Sequence, residues 1–217
     1  MKEIFRGVYK IGGSFATLNY APSRRVYGEK LIRRRGKEFR VWDPYRSKLA
    51  AALHKGLKTF CIKPGDKVLY LGVATGTTAS HVSDIVGEDG IVYCIDVSPR
   101  VLRELVLVCK ERDNMIPILA DASKPYEYAS IVEEVDVIYQ DVAQPNQSEI
   151  LVKNADVFLK EEGYAILMIK ARSIDVTKEP SDVFKREMDI LAKHLKIVEK
   201  LHLEPYDKDH AAVICKK

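Results

Sequence analysis

Three aspartates stand just beyond three successive apolar segments of the chain, where buried strands would end. They are Asp96, Asp121 and Asp141. Ligands of an open parallel sheet bind outside the carboxyl ends of its strands, so the three carboxylates belong to one candidate site. Three acids at one edge leave little room for a polyphosphate. They suit a cationic cofactor that lacks phosphate, such as a sulfonium.

A glycine-containing turn precedes the first of these acids. The sequence Gly72-Val73-Ala74-Thr75-Gly76-Thr77-Thr78 follows the apolar run Val68–Leu71. Its glycines let the backbone approach a ligand, and its hydroxyls can cap the following helix. The spacing departs from the G-x-G-x-x-G of dinucleotide sites because Ala74 takes the middle glycine position. The turn therefore predicts a cofactor loop that does not cradle a pyrophosphate.

The acids and one lysine suggest separate chemical roles. Asp96 lies 24 residues beyond Gly72, where a carboxylate can accept both hydroxyls of an adenosine ribose. Asp121 can contact an adenine edge. Lys170 ends a later apolar segment beside Asp141, where the pair could align a hydroxyl and, if the lysine pKa is lowered, help to deprotonate it. Each residue alone is more often a helix cap or a solvated lysine, so the argument depends on the ordered set.

Alternating strand-like and helix-like segments must position these residues, and the alternation predicts an α/β fold with a doubly wound, mostly parallel sheet. The predicted strands are Val68–Leu71, Ile91–Ile95, Met115–Leu119, Val135–Tyr139, Tyr164–Ile169, Leu195–Leu203 and Ala211–Cys215. The predicted helices are Arg46–Leu57, Thr77–Val86, Val101–Lys110, Glu149–Phe158 and Asp182–His194. Short segments at Val8–Gly12 and Phe15–Leu18 predict a small N-terminal antiparallel β unit. We place the two domains at residues 1–45 and 46–217.

The charge is distributed unevenly along the chain. Residues 1–60 hold fifteen lysines and arginines against four acidic residues, a net of +11, whereas the remainder has a net of −7. The run Arg33-Arg34-Arg35, followed by Lys37, Arg40, Arg46 and Lys48, is dense enough to attract a phosphate backbone. A nucleic acid is therefore a candidate partner. A solvated surface without a ligand is the alternative.

The cysteines and the apolar stretches exclude several classes of protein. The four cysteines, Cys61, Cys94, Cys109 and Cys215, contain no C-x-x-C pair, which predicts reduced, structural thiols and no zinc site. No segment reaches the roughly 20 apolar residues of a membrane span, and Met1–Lys10 lacks a signal-peptide core. We therefore expect a protein that is not membrane-bound and that stays in the cytoplasm.

Four segments, spread from the first quarter of the chain to near its end, resemble the fibrillarin family and its archaeal homologues, so the resemblance covers nearly the whole chain. They are Val41–Ala51, Gly72–Ile85, Asp141–Pro145 and Leu203–His210. The resemblance implies a Rossmann-like S-adenosylmethionine-dependent methyltransferase domain with a small β-rich N-terminal unit. It also implies 2′-O-methylation of ribose in ribosomal RNA, and in transfer RNA in archaea. The implied partners are a Nop-family scaffold protein, a kink-turn-binding protein and a box C/D guide RNA that selects the nucleotide by base pairing.

The resemblance also implies roles for individual residues, carried over by position. Gly72 lies in the cofactor loop, and the implied cofactor contacts are Thr77, Thr78, Asp96, Val97, Asp121, Ala122, Asp141, Val142, Ala143 and Gln144. The implied catalytic set is Lys48, Asp141 and Lys170, with His210 either a fourth member or a structural histidine beside the last strand. The transfer would be an in-line displacement that depends on positioning and needs no metal.

The chain departs from the family pattern at two places. Asp96-Val97 stands where members typically have Glu-Phe, and Ala74-Thr75-Gly76 replaces Ala-Ser-Gly. We expect these changes to affect cofactor affinity rather than the reaction. The Gly/Arg-rich N-terminal extension of eukaryotic members is absent from the sequence, which favours an archaeal type.

Two other functions are compatible with the same fold. A small-molecule O-methyltransferase often binds magnesium through clustered acidic and amide residues, but the segment Asp141–Gln144 lacks a paired acid. Insensitivity to a chelator would argue against it. A non-enzymatic RNA-binding or assembly subunit would bind the cofactor without turnover.

Overall fold

Two β-sheets and six α-helices make up the computed structural model, which describes residues 1–217. The small sheet is antiparallel and contains, in chain order, β1 (Lys2–Phe5), β2 (Val8–Ile11), β3 (Ser14–Leu18), β4 (Leu31–Arg34) and β5 (Lys37–Val41). The large sheet contains β6 (Lys67–Leu71), β7 (Ile91–Asp96), β8 (Met115–Leu119), β9 (Val135–Gln140), β10 (Leu159–Lys170), β11 (Lys196–His202) and β12 (His210–Lys216). The helices are α1 (Lys48–His54), α2 (Thr77–Val86), α3 (Pro99–Cys109), α4 (Gln147–Phe158), α5 (Ala171–Ile174) and α6 (Pro180–Leu191).

The large sheet has the strand order β11-β12-β10-β9-β6-β7-β8 and is parallel except at β12, which is antiparallel to both of its neighbours. Alternate residues of β6 enter opposite cores, since Val68 and Tyr70 pack with α1, α2 and α3 while Leu69 and Leu71 pack with α4 and α6. Both faces of the sheet are therefore covered by helices. This arrangement confirms the predicted doubly wound, mostly parallel sheet.

The element bounds differ from the predicted ones where local chemistry intervenes. Helix α1 begins two residues later than predicted because Ser47 is extended and caps it, and it ends before Gly56, which has a φ of +89°. Strand β10 begins at Leu159 rather than Tyr164, with an irregular pairing to β9 between these residues. The antiparallel N-terminal unit is confirmed, and β1, β4 and β5 complete it.

The small sheet packs on the large one through a shared core. Val8, Phe15 and Trp42 belong to the same buried cluster as α1 and α2. The division of the chain at residue 45 stays a prediction; β5 ends at Val41 and α1 begins at Lys48.

A buried ion cluster joins the small sheet to α2. Arg40 Nη1 lies 2.9 Å from Asp84 Oδ2, Arg112 Nη1 lies 2.6 Å from Asp84 Oδ1, and Glu29 pairs with Arg40 at 2.5 Å. All four side chains are shielded from water. The prediction that Arg40 contributes to an exposed basic surface is therefore wrong, because its guanidinium is buried and paired with Glu29 and Asp84.

His81 lies inside this cluster, with its ring nitrogens 2.7 Å from the hydroxyls of Thr17 and Tyr27. Burial, followed by the charges of Arg40 and Arg112, holds the pKa of His81 well below its usual value. The imidazole is therefore neutral in the folded protein.

We expect His81 to make the folded protein less stable in mild acid. Above about pH 6.5 the imidazole is neutral in both folded and unfolded chains; below it only the unfolded chain takes up the proton. The free energy of unfolding should therefore fall by up to about 1.4 kcal/mol per pH unit below that point. Denaturant titrations at pH 7.0, 6.0 and 5.0 would measure this. His81→Gln should flatten the pH dependence of the free energy of unfolding. His194→Gln, at an exposed position, is the control and should leave that dependence unchanged. Equal slopes in the two variants would contradict the role of His81.

The remaining bulk features concern membranes and thiols. None of the helices is both long enough and apolar enough to cross a membrane. Cys94 and Cys215 are fully buried in β7 and β12, and all four cysteines are free thiols.

Candidate active site

The carboxyl ends of the central parallel strands surround a cleft of about 360 Å³. Eight of the predicted cofactor residues line it, namely Gly72, Asp96, Val97, Ala122, Asp141, Val142, Ala143 and Gln144, and Lys170 lines it as well. Ala74, Ile95 and Ala120 are further lining residues that the sequence interpretation did not single out. The topology therefore brings most of the predicted set to one place.

Three of the predicted cofactor residues lie beside the cleft rather than in its lining. Asp121 accepts a hydrogen bond from the Gln144 amide at 3.3 Å. Thr77 is the first residue of α2, and the buried Thr78 hydroxyl lies 2.9 Å from Ser47 Oγ. The hydroxyl of Thr78 thus contacts protein in this structure.

Gly72 is needed for the close approach of the cofactor loop to the end of β9. Its φ is +77°, and a Cβ at this position would lie 2.8 Å from the main-chain oxygen of Asp141. Asp141 in turn donates its N–H to the Leu71 carbonyl at 2.9 Å. A larger residue at position 72 would therefore displace Asp141.

The acids around the cleft are held by backbone N–H groups. Asp96 accepts hydrogen bonds from Ala74 N at 3.0 Å and Ser98 N at 2.9 Å. The backbone N–H of Ser123 donates to Asp121 Oδ1, and this hydrogen bond is the main reason that the pKa of the Asp121 carboxyl is lowered. The acids are thus fixed in place, with lone pairs left for a ligand.

An S-adenosyl group fits the donor and acceptor balance of this cleft. The buried Gln144 Oε1 has no hydrogen-bond donor, and three aspartates supply acceptors around it. A sulfonium cofactor carries positive charge together with hydroxyl and amino donors, which these groups can accept. The residues present therefore match the chemistry of the expected cofactor.

Asp141 lies between two lysine ammonium groups. Its Oδ1 is 2.9 Å from Lys170 Nζ, and its Oδ2 is 3.2 Å from Lys48 Nζ. Lys170 Nζ also donates to the main-chain oxygen of Asp141 at 3.0 Å, and Asp141 Oδ1 has no aligned hydrogen-bond donor although Lys170 Nζ is close to it. All three side chains are largely buried, and Asp141 and Lys170 line the cleft. This places a carboxylate and two cations where a substrate hydroxyl could be aligned.

Asp207 connects His210 to this set and was missed by the sequence interpretation. Its Oδ2 is 3.5 Å from Lys48 Nζ, and its Oδ1 is 2.9 Å from His210 Nδ1. Partial burial acts to raise the pKa of Asp207, but the hydrogen bond with His210 and the charge of Lys48 lower it overall. The available signal was position, since Asp207 lies within the family-like segment Leu203–His210.

Comparison with known proteins identifies the family. The sequence profile named Fibrillarin matches residues 1–217, the entire chain. The chain belongs to the fibrillarin family. Among fibrillarin-family relatives, the fibrillarin-like rRNA/tRNA 2′-O-methyltransferase of Pyrococcus furiosus is 56% identical over 221 residues, which cover 100% of this chain and 97% of the relative.

Two solved fibrillarin structures are similar to this one. Aeropyrum pernix fibrillarin, in complex with natively bound S-adenosyl-L-methionine, has a TM-score of 0.87 and 52% identity, with coverage of 93% of this chain and 88% of the other. A fibrillarin/Nop5p complex has a TM-score of 0.91 and 45% identity, with coverage of 99% of both chains. The predicted family and the methyltransferase fold are thereby confirmed. The roles of the individual residues stay predictions.

Proposed function

We propose that this chain is the catalytic subunit of a box C/D ribonucleoprotein and methylates the ribose 2′-hydroxyl of guide-selected nucleotides in ribosomal RNA and transfer RNA. The observation that carries the proposal is Asp141 held between Lys48 and Lys170 at the edge of the cofactor cleft. The predicted enzyme class and cofactor are confirmed by relatives that are named 2′-O-methyltransferases and by a fibrillarin that binds S-adenosylmethionine.

The cleft residues would hold the cofactor by its polar ends. Asp96 would accept the ribose hydroxyls, and Asp121 and Gln144 would contact the adenine edge. The first N–H groups of α2, at Thr77 and Thr78, have no side-chain cap and would bind the carboxylate of the methionine portion. S-adenosylmethionine would supply an electrophilic methyl group.

The chain itself must orient the 2′-hydroxyl and accept its proton. Asp141 would accept the hydrogen bond of that hydroxyl, which fixes the oxygen and increases its nucleophilicity. Lys48 and Lys170 hold the carboxylate by its two oxygens and offset its charge, and Lys48 can also hold the hydroxyl or an adjacent phosphate. His210, linked to Lys48 through Asp207, would relay the released proton.

The proposed partners follow from family membership and surface charge. A Nop-family scaffold protein is supported by the fibrillarin/Nop5p complex. Arg33, Arg34, Arg35, Lys37 and Arg46 are exposed and can contact RNA phosphates, although Arg40 cannot. We place the guide RNA and the kink-turn-binding protein in the same particle, because the chain alone offers charge and shape but no evident means of reading sequence.

Guided methyl transfer tests this proposal. The chain, a Nop-family scaffold, a kink-turn-binding protein and a guide RNA would be assembled with labelled S-adenosylmethionine and an RNA that matches the guide. Label should appear on one 2′-oxygen, move when the guide is changed, and persist in the presence of a chelator. Cofactor binding and particle assembly without any label would instead favour an assembly subunit.

Asp207→Asn is expected to lower kcat by about threefold to tenfold, because Lys48 and His210 lose the anion that they share. The effect is modest since the Asp207 side chain is 32% exposed and water screens its charge. The KM for S-adenosylmethionine should not change. Single-turnover rates with saturating cofactor and RNA would measure the loss.

Asp209→Asn is the matched control for this prediction. Asp209 has a φ of +58°, a conformation that asparagine tolerates, and pairs with Arg172 outside the site at 3.1 Å. Its variant should transfer methyl at the wild-type rate. Equal rates in both variants would rule out the role of Asp207.

A further inference from the structure

A buried pair of hydroxyls joins the cofactor loop to the helix that carries Lys48. Ser47 Oγ lies 2.9 Å from Thr78 Oγ1, although the residues are 31 positions apart. Both residues are buried, with 5% and 7% of their surfaces exposed. The bond therefore forms away from water, where an unpaired hydroxyl is costly.

Ser47 sets where α1 begins and hence where Lys48 points. Its side chain accepts a hydrogen bond from Ala50 N at 3.4 Å and caps the helix, of which Lys48 is the first residue. The indole N–H of the fully buried Trp42 also donates to Ser47 Oγ, at 2.9 Å. Ser47 is thus held from three sides.

Thr78 fixes the other end of this connection. It is the second residue of α2, directly after the loop Gly72–Gly76 at the cofactor cleft. The Ser47–Thr78 hydrogen bond therefore links the helix that follows the cofactor loop to the residue that precedes Lys48, whose ammonium pairs with Asp141.

We propose that Ser47 and Thr78 are positioning residues that hold Lys48 in register with the cofactor loop. Methyl transfer requires the donor and the hydroxyl to be aligned within a fraction of an ångström, and these two partners are held by separate parts of the chain. The Ser47–Thr78 bond fixes their relative position. The inference rests on the proposed role of Lys48. It also means that the Thr78 hydroxyl hydrogen-bonds to Ser47 rather than to the cofactor.

Thr78→Val separates these two roles because it removes the hydroxyl at nearly constant volume. We expect kcat in the assembled particle to fall about five- to fiftyfold, as for a small misplacement of a catalytic group, with the KM for S-adenosylmethionine within about twofold of wild type. Thr78→Ser should restore the rate. A raised KM with unchanged kcat would mean that the hydroxyl binds cofactor and would overturn the inference.

Ser47→Ala should reproduce the loss of kcat, and Ser83→Ala is its matched control. Ser83 is also a buried serine, and its hydroxyl donates to Asn114 Oδ1 at 2.7 Å, but it has no bond to α1. Both variants lose a buried hydroxyl, so a loss of kcat in both would indicate only weakened folding. A loss in Ser47→Ala alone supports the inference.

A combined variant and a chemical probe show whether the effect passes through Lys48. In a Lys48→Met background, Thr78→Val should cause no further decrease in the single-turnover rate; a full further decrease would overturn the inference. Acylation of Lys48 by an amine-reactive reagent, followed by mass spectrometry, should be faster in Thr78→Val than in wild type. This probe needs no methyl transfer, so failure of the proposed function and failure of the coupling give different results. Unchanged acylation would also overturn the coupling.

Discussion

Asp141→Asn is expected to lower kcat for guided methyl transfer about a thousandfold. The substitution keeps the shape of the side chain but removes the negative charge that accepts the hydroxyl hydrogen bond. It also leaves Lys48 and Lys170, which lie 3.2 and 2.9 Å from the carboxylate oxygens, without their shared counter-ion. Single-turnover assays with saturating cofactor and RNA would measure the chemical step.

Asp121→Asn is the matched control, since Asp121 lies at the same edge of the sheet but contacts Ser123 and Gln144 rather than a lysine. It should raise the KM for S-adenosylmethionine while kcat stays within about threefold of wild type. Particle assembly and RNA binding should be normal in both variants. If Asp141→Asn retained more than about a tenth of the wild-type kcat, the acceptor role of Asp141 would be wrong.

The candidate site could be predicted largely because its residues follow local patterns. Each apolar run predicts a strand, and the residue after each run then falls at a known edge of a parallel sheet. Asp96 and Asp141 line the cleft for this reason, and Asp121 lies beside it. Lys48 was assigned only through the family resemblance, since it lies on α1 and no strand-end rule locates it.

The contacts that the sequence did not predict join residues far apart in the chain. Ser47 meets Thr78, and Asp207 bridges Lys48 to His210. Neither contact has a periodic pattern, because each depends on how whole elements pack together. The basic run wrongly predicted an exposed Arg40 for the same reason, because a position in a run of basic residues does not show whether the side chain is buried.

Asp84→Asn is expected to reduce the free energy of unfolding by about 3–5 kcal/mol, because it leaves buried cations without their partner. The four charges of Arg40, Arg112, Glu29 and Asp84 balance inside the protein, and the neutral His81 adds none. Without the Asp84 charge this buried cluster has a net positive charge.

Several bonds to the small sheet depend on the same carboxylate. Asp84 accepts from the Thr17 hydroxyl at 2.6 Å and from Tyr20 N at 2.9 Å as well as from both arginines. An amide can no longer accept at both ends, so some of these donors lose their partner in a site that water does not reach. The weakened region should therefore be the contact between the two sheets. Hydrogen exchange should report it as faster exchange in β3 and β5, with little change in β9 and β10.

Thermal and denaturant unfolding would measure the effect of Asp84→Asn, which corresponds to a decrease in Tm of about 10 °C for a chain of this size. Glu127→Gln is the control: it removes a carboxylate whose ion pair with Lys124 is more than half exposed on both sides. That variant should change stability by less than about 1 kcal/mol. Equal stability losses in the two variants would mean that the buried ion cluster does not hold the small sheet to α2. The shared apolar core around Val8, Phe15 and Trp42 would then have to account for the contact alone.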